Sequence, residues 1–248
     1  MSNQTDYASK LDAANAIPED QVQTPYIPVG IYLQEAEDLY HWSMQDKDKL
    51  VAASLPAVKI KNLPTYTGAC RIAQSMWMKD QQQRKDSEDE WKEEAPKAFD
   101  LRDRLVHALD FAYRDDSDLS RRVDAIREGA GNADMIQDLS DIAVLGKANP
   151  GPLKKINFDL KLLDKAEELS DTLGDLLGRV NGDRLSTNES KIIRDRMYTL
   201  LKQNVDEIRD CGKFVFWRND DRLRGYSSNY MRRNRGKSKK VKEQEELM

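Results

Sequence analysis

The chain contains two histidines, and each sits among carboxylates at helical spacing. His107 has Asp103 four residues before it and Asp110 three after; His41 has Asp38 three before and Glu37 four before. On a helix each trio shares one face. Imidazole and carboxylate on one helical face are the raw material of carboxylate-bridged metal sites in helical bundles. The di-iron version needs Glu-x-x-His on two helices together with further inward Glu residues. This chain offers Asp38-x-x-His41 and no Glu-x-x-His. With 44 Asp and Glu among 248 residues such neighbours arise by chance. Both trios are therefore read as helix-surface pairing, and no metal ligand or cofactor is assigned.

Other chemistries have less to stand on. Glu128-Gly129-Ala130-Gly131-Asn132-Ala133-Asp134 resembles a glycine loop before a helix N-terminus, where amides hold phosphate. It lacks the preceding strand and third glycine of a dinucleotide site and the Gly-Lys-Ser/Thr ending of a phosphate loop. It reads as one helix's C-cap followed by the next helix's N-cap. No Gly-x-Ser-x-Gly elbow occurs, and Cys70 and Cys211 have no adjacent base. No residue nominates itself for catalysis, so the expectation is a non-enzyme.

The strongest local signal is the C-terminal segment, residues 213–248. Between Lys213 and Lys242 it carries eleven Lys or Arg against Asp220 and Asp221, while the whole chain has a net charge of -4. An acidic body thus bears a basic arm. Candidate contact residues are Phe216, Trp217, Arg218, Arg222, Arg224, Tyr226, Tyr230, Arg232, Arg233 and Arg235. Their cations suit phosphate and their rings suit stacking on bases, which makes nucleic-acid binding one reading. The competing reading is protein docking, in which the basic residues meet an acidic face of a neighbouring subunit or partner. A third is that Phe214, Phe216 and Trp217 only pack back on the bundle and Lys237 to Lys242 form an inert solvated tail. The acidic remainder of the chain favours the second, because the arm alone offers phosphate contacts.

Behind these residues stands a helical framework. Charged residues are 34% of the chain and hydrophobic ones 39%, which suits amphipathic helices with wide solvated faces. Leu160, Leu163, Ala166, Leu169, Leu173, Leu176 and Val180 recur at steps of three or four, as do Ile193, Met197, Leu201, Val205 and Ile208. Val180-Asn181-Gly182-Asp183 reads as a stop between them, with Ser186, Thr187 and Asn188 as N-caps. The spacing predicts a helical hairpin over 156–211. Upstream helices are expected from Pro28, from Thr65 or Thr67, from Pro96 to about Tyr113, from a cap within Asp115-Asp116-Ser117-Asp118 and from Asn132. Gln81 to Glu90, nearly free of apolar residues, is read as a solvated helix extension. Lys213-Phe214-Val215-Phe216-Trp217 is the best strand candidate, and it is short.

The expected fold is all-α: an up-and-down bundle of about seven helices with a long C-terminal hairpin and extended terminal arms. The expected division is an N-terminal arm (1–28), the bundle (29–212) and the basic, aromatic arm (213–248). Met1 to Asp6 form no basic and apolar leader, and no apolar run approaches the ~18 residues of a membrane span. A soluble cytoplasmic protein is expected, without membrane contact, self-associating or binding a partner protein through its arms. Nucleic acid bound through residues 213–242 is the alternative.

Overall fold

A computed structural model describes residues 2–234. It is all-α, with about ten helices and no strand among the described residues. In order these are α1 (Asn3–Asn15), α2 (Val29–Gln45), α3 (Lys47–Ala52), α4 (Ala57–Tyr113), α5 (Ser117–Arg127), α6 (Asn132–Ala148), α7 (Pro150–Lys155), α8 (Lys161–Val215) and α9 (Asp220–Leu223). Residues from Asn229 to the end of the described chain are again helical. The strand candidate at 213–217 is instead the end of α8 and the turn after it.

The chain divides into two units, residues 1–79 with 188–248, and residues 80–187. The divisions fall inside α4 and α8, so each long helix supplies apolar residues to two separate cores. In the first unit the core includes Tyr32, Leu39, Leu50, Leu63, Cys70, Tyr198, Val205, Ile208 and Tyr226. In the second it includes Leu105, Leu109, Tyr113, Met135, Leu139, Ile142, Leu153, Leu163 and Val180.

This corrects the expected hairpin. The apolar residues of both predicted seams lie on one continuous helix of 55 residues. The stop-like residues between them are absorbed for two reasons. Propagating an existing helix is cheap, and an interior Gly costs only about 1 kcal/mol relative to Ala. Partners on α4 also reward the helical path: Gln83 Nε2 donates to Asp183 Oδ1 (3.1 Å), Arg184 Nε to Glu88 Oε1 (2.9 Å) and Arg179 Nη2 to Glu90 (3.2 Å). Thr187 Oγ1, expected as an N-cap, donates back to the Asp183 carbonyl at 2.7 Å and to the Asp80 carbonyl at 3.1 Å. The same holds for α4. Its 57 residues pass through Pro64, Thr65, Thr67 and Pro96 without ending, and Gln81 to Glu90 are helical as read. Hydrogen bonds from Arg184 and Arg84 hold the Glu88 carboxyl below the usual carboxylate range.

Shorter elements follow their local signals. Asp116 caps α5 by accepting from the amides of Asp118 and Leu119 (3.0 and 3.1 Å), and Pro150 opens α7. α3 and α7 end alike. Ser54 (φ 72°) and Asn157 (φ 55°) turn into the left-handed region. The next amides, of Leu55 and Phe158, then bond back to the carbonyls of Leu50 and Leu153. The expectation of extended terminal arms is also corrected. Residues 3–15 form α1, capped by Ser2, and Ala14 and Ile27 are buried in the first core. At the other end Phe216 and Tyr226 are buried in that core as well.

The continuous α8 predicts that Gly182→Ala, at an exposed site with open space around the Cβ position, stabilises the protein by about 0.5–1 kcal/mol. Urea unfolding checks this; a loss of stability would place Gly182 in a turn. Burial also pushes the Cys70 thiol and the Tyr113 hydroxyl up to about 12. In an unfolded chain these groups ionise near ~8.5 and ~10. Their folded values are raised, so their contribution is complete below about pH 8.5 and is lost as pH rises toward 12. Urea midpoints should fall steadily above about pH 8.5; a midpoint unchanged at pH ~11 would contradict this.

Candidate interaction surface

The C-terminal segment folds along α2, held by two carboxylates. Asp46, 6% exposed just past the end of α2, accepts from Arg222 Nε (3.0 Å) and Nη2 and from the Tyr226 hydroxyl (2.8 Å) on one oxygen, Oδ2. Arg222 Nη1 also donates to Gln45 Oε1 (3.3 Å), and the guanidinium lies 4.0 Å from the Trp42 ring centroid. The indole Nε1 of Trp42 donates to the Arg222 carbonyl at 3.1 Å. Burial and the bond to Asp46 both hold the Tyr226 hydroxyl well above its ordinary pKa.

Glu35, three turns earlier on α2, is 7% exposed. Its Oε2 accepts from Arg209 Nη2 of α8 at 2.8 Å. Its Oε1 accepts from Ser228 Oγ (3.0 Å) and from the Tyr230 amide (2.9 Å). Ser228 Oγ in turn accepts from the Met231 amide at 3.2 Å, so Ser228 caps the helical turn from Asn229 while Glu35 supplies negative charge at its N-terminus.

Two glycines permit this packing. A Cβ on Gly212 would lie 2.0 Å from the Tyr226 ring, and one on Gly225 would lie 1.8 Å from the Trp42 indole nitrogen. The Tyr226 ring stacks on Phe216 with centroids 5.6 Å apart and an interplanar angle of 11°. Between α2 and the returning segment lies a polar cavity of about 230 Å³, lined by Glu35, Asp38, Trp42, Arg209, Arg224 and Arg232 among others.

The candidate contact residues therefore separate into two groups. Phe216, Arg222 and Tyr226 are brought together, but inward, by the Asp46 cluster, and Tyr230 is half-buried against the first core. Trp217, Arg218, Arg224, Arg232 and Arg233 are exposed. Arg218 stacks at 4.1 Å on Trp217, which is 64% exposed beside the 73% exposed Phe214. Arg235 lies outside the described residues. Reading the sequence missed Glu35, Asp46, Trp42 and Arg209. Glu35 carried a signal: it falls on the apolar face of α2, between Tyr32 and Leu39, where a charge needs a partner.

The histidine trios form no centre. His107 is exposed, with Asp110 bonded to Arg127 (3.1 Å) and Asp103 to Arg102 (3.0 Å). Among the described residues no group of three His, Cys, Asp or Glu is arranged to hold a metal ion. The glycine loop joins α5 to α6: Gly131 (φ 133°) precedes α6, and Asp134 Oδ2 accepts from the Ala130 amide at 3.1 Å. Compared with known proteins, the chain matches no family model, no curated protein and no solved structure.

Removing Asp46 strands Arg222 and the buried Tyr226 hydroxyl together. Asp46→Ala should cost about 3 kcal/mol, and Tyr226→Phe only about 1 kcal/mol. Urea unfolding of both variants measures the difference; equal, negligible losses would mean that the segment does not dock on Asp46.

Proposed function

We propose that the protein is a non-catalytic structural or adaptor protein, a helical scaffold that presents an aromatic and basic surface at its C-terminal end to neighbouring subunits or a partner protein. The observation that supports this is the division within the C-terminal segment. Asp46 and Glu35 hold residues 222–230 against α2, so the outward Phe214, Trp217, Arg218, Arg224, Arg232 and Arg233 belong to a fixed surface. Exposed aromatics beside arginines are the residue types enriched at protein interfaces. The acidic remainder of the chain offers the complementary charge for self-association, which would govern register and rate more than affinity.

The nucleic-acid alternative uses the same segment, but Arg222 and Tyr226 are already committed to Asp46, which leaves fewer groups for phosphate and bases. The two free cysteines suit a reducing, cytoplasmic setting. Among the described residues no helix is long and apolar enough to cross a membrane.

Association is expected to be salt-sensitive. Light scattering at about 50 and 500 mM salt should give a larger mass at the lower value, since the screening length falls from about 14 Å to about 4 Å over this range. Trp217→Ala with Arg232→Glu and Arg233→Glu should abolish the difference while leaving helical circular dichroism unchanged. A monomer at both salts with no partner recovered from extract would contradict the reading, and a high 260/280 ratio in the purified protein would favour the alternative.

A further inference from the structure

A second cavity in the first unit, of about 380 Å³, lies where α1, α2 and the start of α4 meet. Asn3 and Asp6 reach it from α1, Gln34, Glu37, Asp38 and His41 from one face of α2, and Thr67 and Gly68 from α4, with the Tyr40 ring as part of the wall. The charges in it are unbalanced. Glu37 accepts from Arg71, but among the described residues the Asp38 carboxylate accepts only from the neutral amide of Gln34, at 3.0 Å. Asp6 is 7% exposed and lines the cavity, yet its carboxylate has no hydrogen-bond or ion-pair partner among the described residues.

The Asp6 carboxylate faces the cavity without a donor from the described residues, so a cation entering the cavity would meet an uncompensated acceptor. Asp6 Oδ2 and Asn3 Oδ1 converge on Gly68, where a Cβ would lie 2.6 and 2.8 Å from them. The absence of that carbon lets both side chains pack against Gly68 at the edge of the cavity. The ligand chemistry follows. No three acidic or imidazole groups here are arranged for a metal ion. Two carboxylates without ion-pair partners among the described residues, an amide oxygen and a lining tyrosine suit ammonium groups joined by methylenes.

We propose that this cavity binds a small organic diamine or polyamine, with Asp6 and Asn3 accepting from one ammonium and Asp38 neutralising another. The His41, Asp38 and Glu37 face of α2 is then a wall of this site rather than a metal centre.

The test is calorimetric titration of the full chain with putrescine at fixed ionic strength, with n-butylamine, N-acetyl-lysine amide and magnesium chloride as separate arms. Putrescine should bind, and bind more tightly than either monoamine. Asp6→Asn keeps the shape and removes the charge; it should weaken putrescine binding at least about 30-fold, as removal of one partner from a buried charge pair does. Without ligand the same variant should keep the parent's helical circular dichroism and urea midpoint, which separates loss of binding from loss of fold. Asp38→Asn, at an exposed position, should weaken putrescine and leave n-butylamine unchanged. The proposal is overturned if putrescine gives no more heat than matched sodium chloride, if magnesium binds in its place, if the lysine amide binds as well as putrescine, or if Asp6→Asn binds like the parent.

Discussion

Two buried carboxylates on one side of α2 set the position of residues 222–230, the segment that follows α8. Glu35 and Asp46 are eleven residues apart, close to three helical turns, so they lie on the same side. Each is almost fully withdrawn from water, where an unpaired charge would be prohibitive. Arg209 meets Glu35 from α8, and Arg222 meets Asp46 from the returning chain. Tyr226 adds a further bond to Asp46 Oδ2, and Ser228 with the Tyr230 amide occupies Glu35 Oε1. Because Asp46 takes residues 222 and 226 while Glu35 takes 228 and 230, the segment must run antiparallel to α2.

That constraint propagates into packing. Tyr226 reaches Asp46 only by lying flat against α8 at Gly212, and the turn at Gly225 lies under Trp42. Larger residues at either position would push the aromatic ring off its acceptor. The Phe216 ring stacks on Tyr226 in the core, while its neighbour Trp217 is left exposed. The outward surface is thus a consequence of what has been drawn inward. Function is inferred at this last link, from a fixed aromatic and basic face to a partner for it.

Much of the framework was legible because apolar period reports the buried face of a helix directly. Leu163, Ala166, Leu173 and Val180 in one seam, and Met197, Leu201, Val205 and Ile208 in the other, are buried as their spacing implies. What the spacing does not carry is continuity. Asn181, Gly182 and Asp183 have the local chemistry of a stop, but that preference is about 1 kcal/mol, and cross-helix bonds to Gln83 and Glu88 outweigh it. Thr65, Thr67 and Pro96 misled in the same way. The candidate site was half legible: residue types marked the segment, but whether Arg222 faces phosphate or Asp46 depends on a contact 176 residues away in sequence. Only the misplaced charge of Glu35 on an apolar face hinted at it.

The central claim is that residues 222–231 are docked structure and not a free basic arm. Hydrogen exchange at neutral pH on a peptide spanning Asn219 to Asn234 tests it most directly. The Tyr230 and Met231 amides, bonded to Glu35 and Ser228, and the Leu223 amide, bonded to the Asn219 carbonyl, should exchange at least about tenfold more slowly than in an unstructured chain. Exchange of the whole peptide at the unstructured rate would contradict the account.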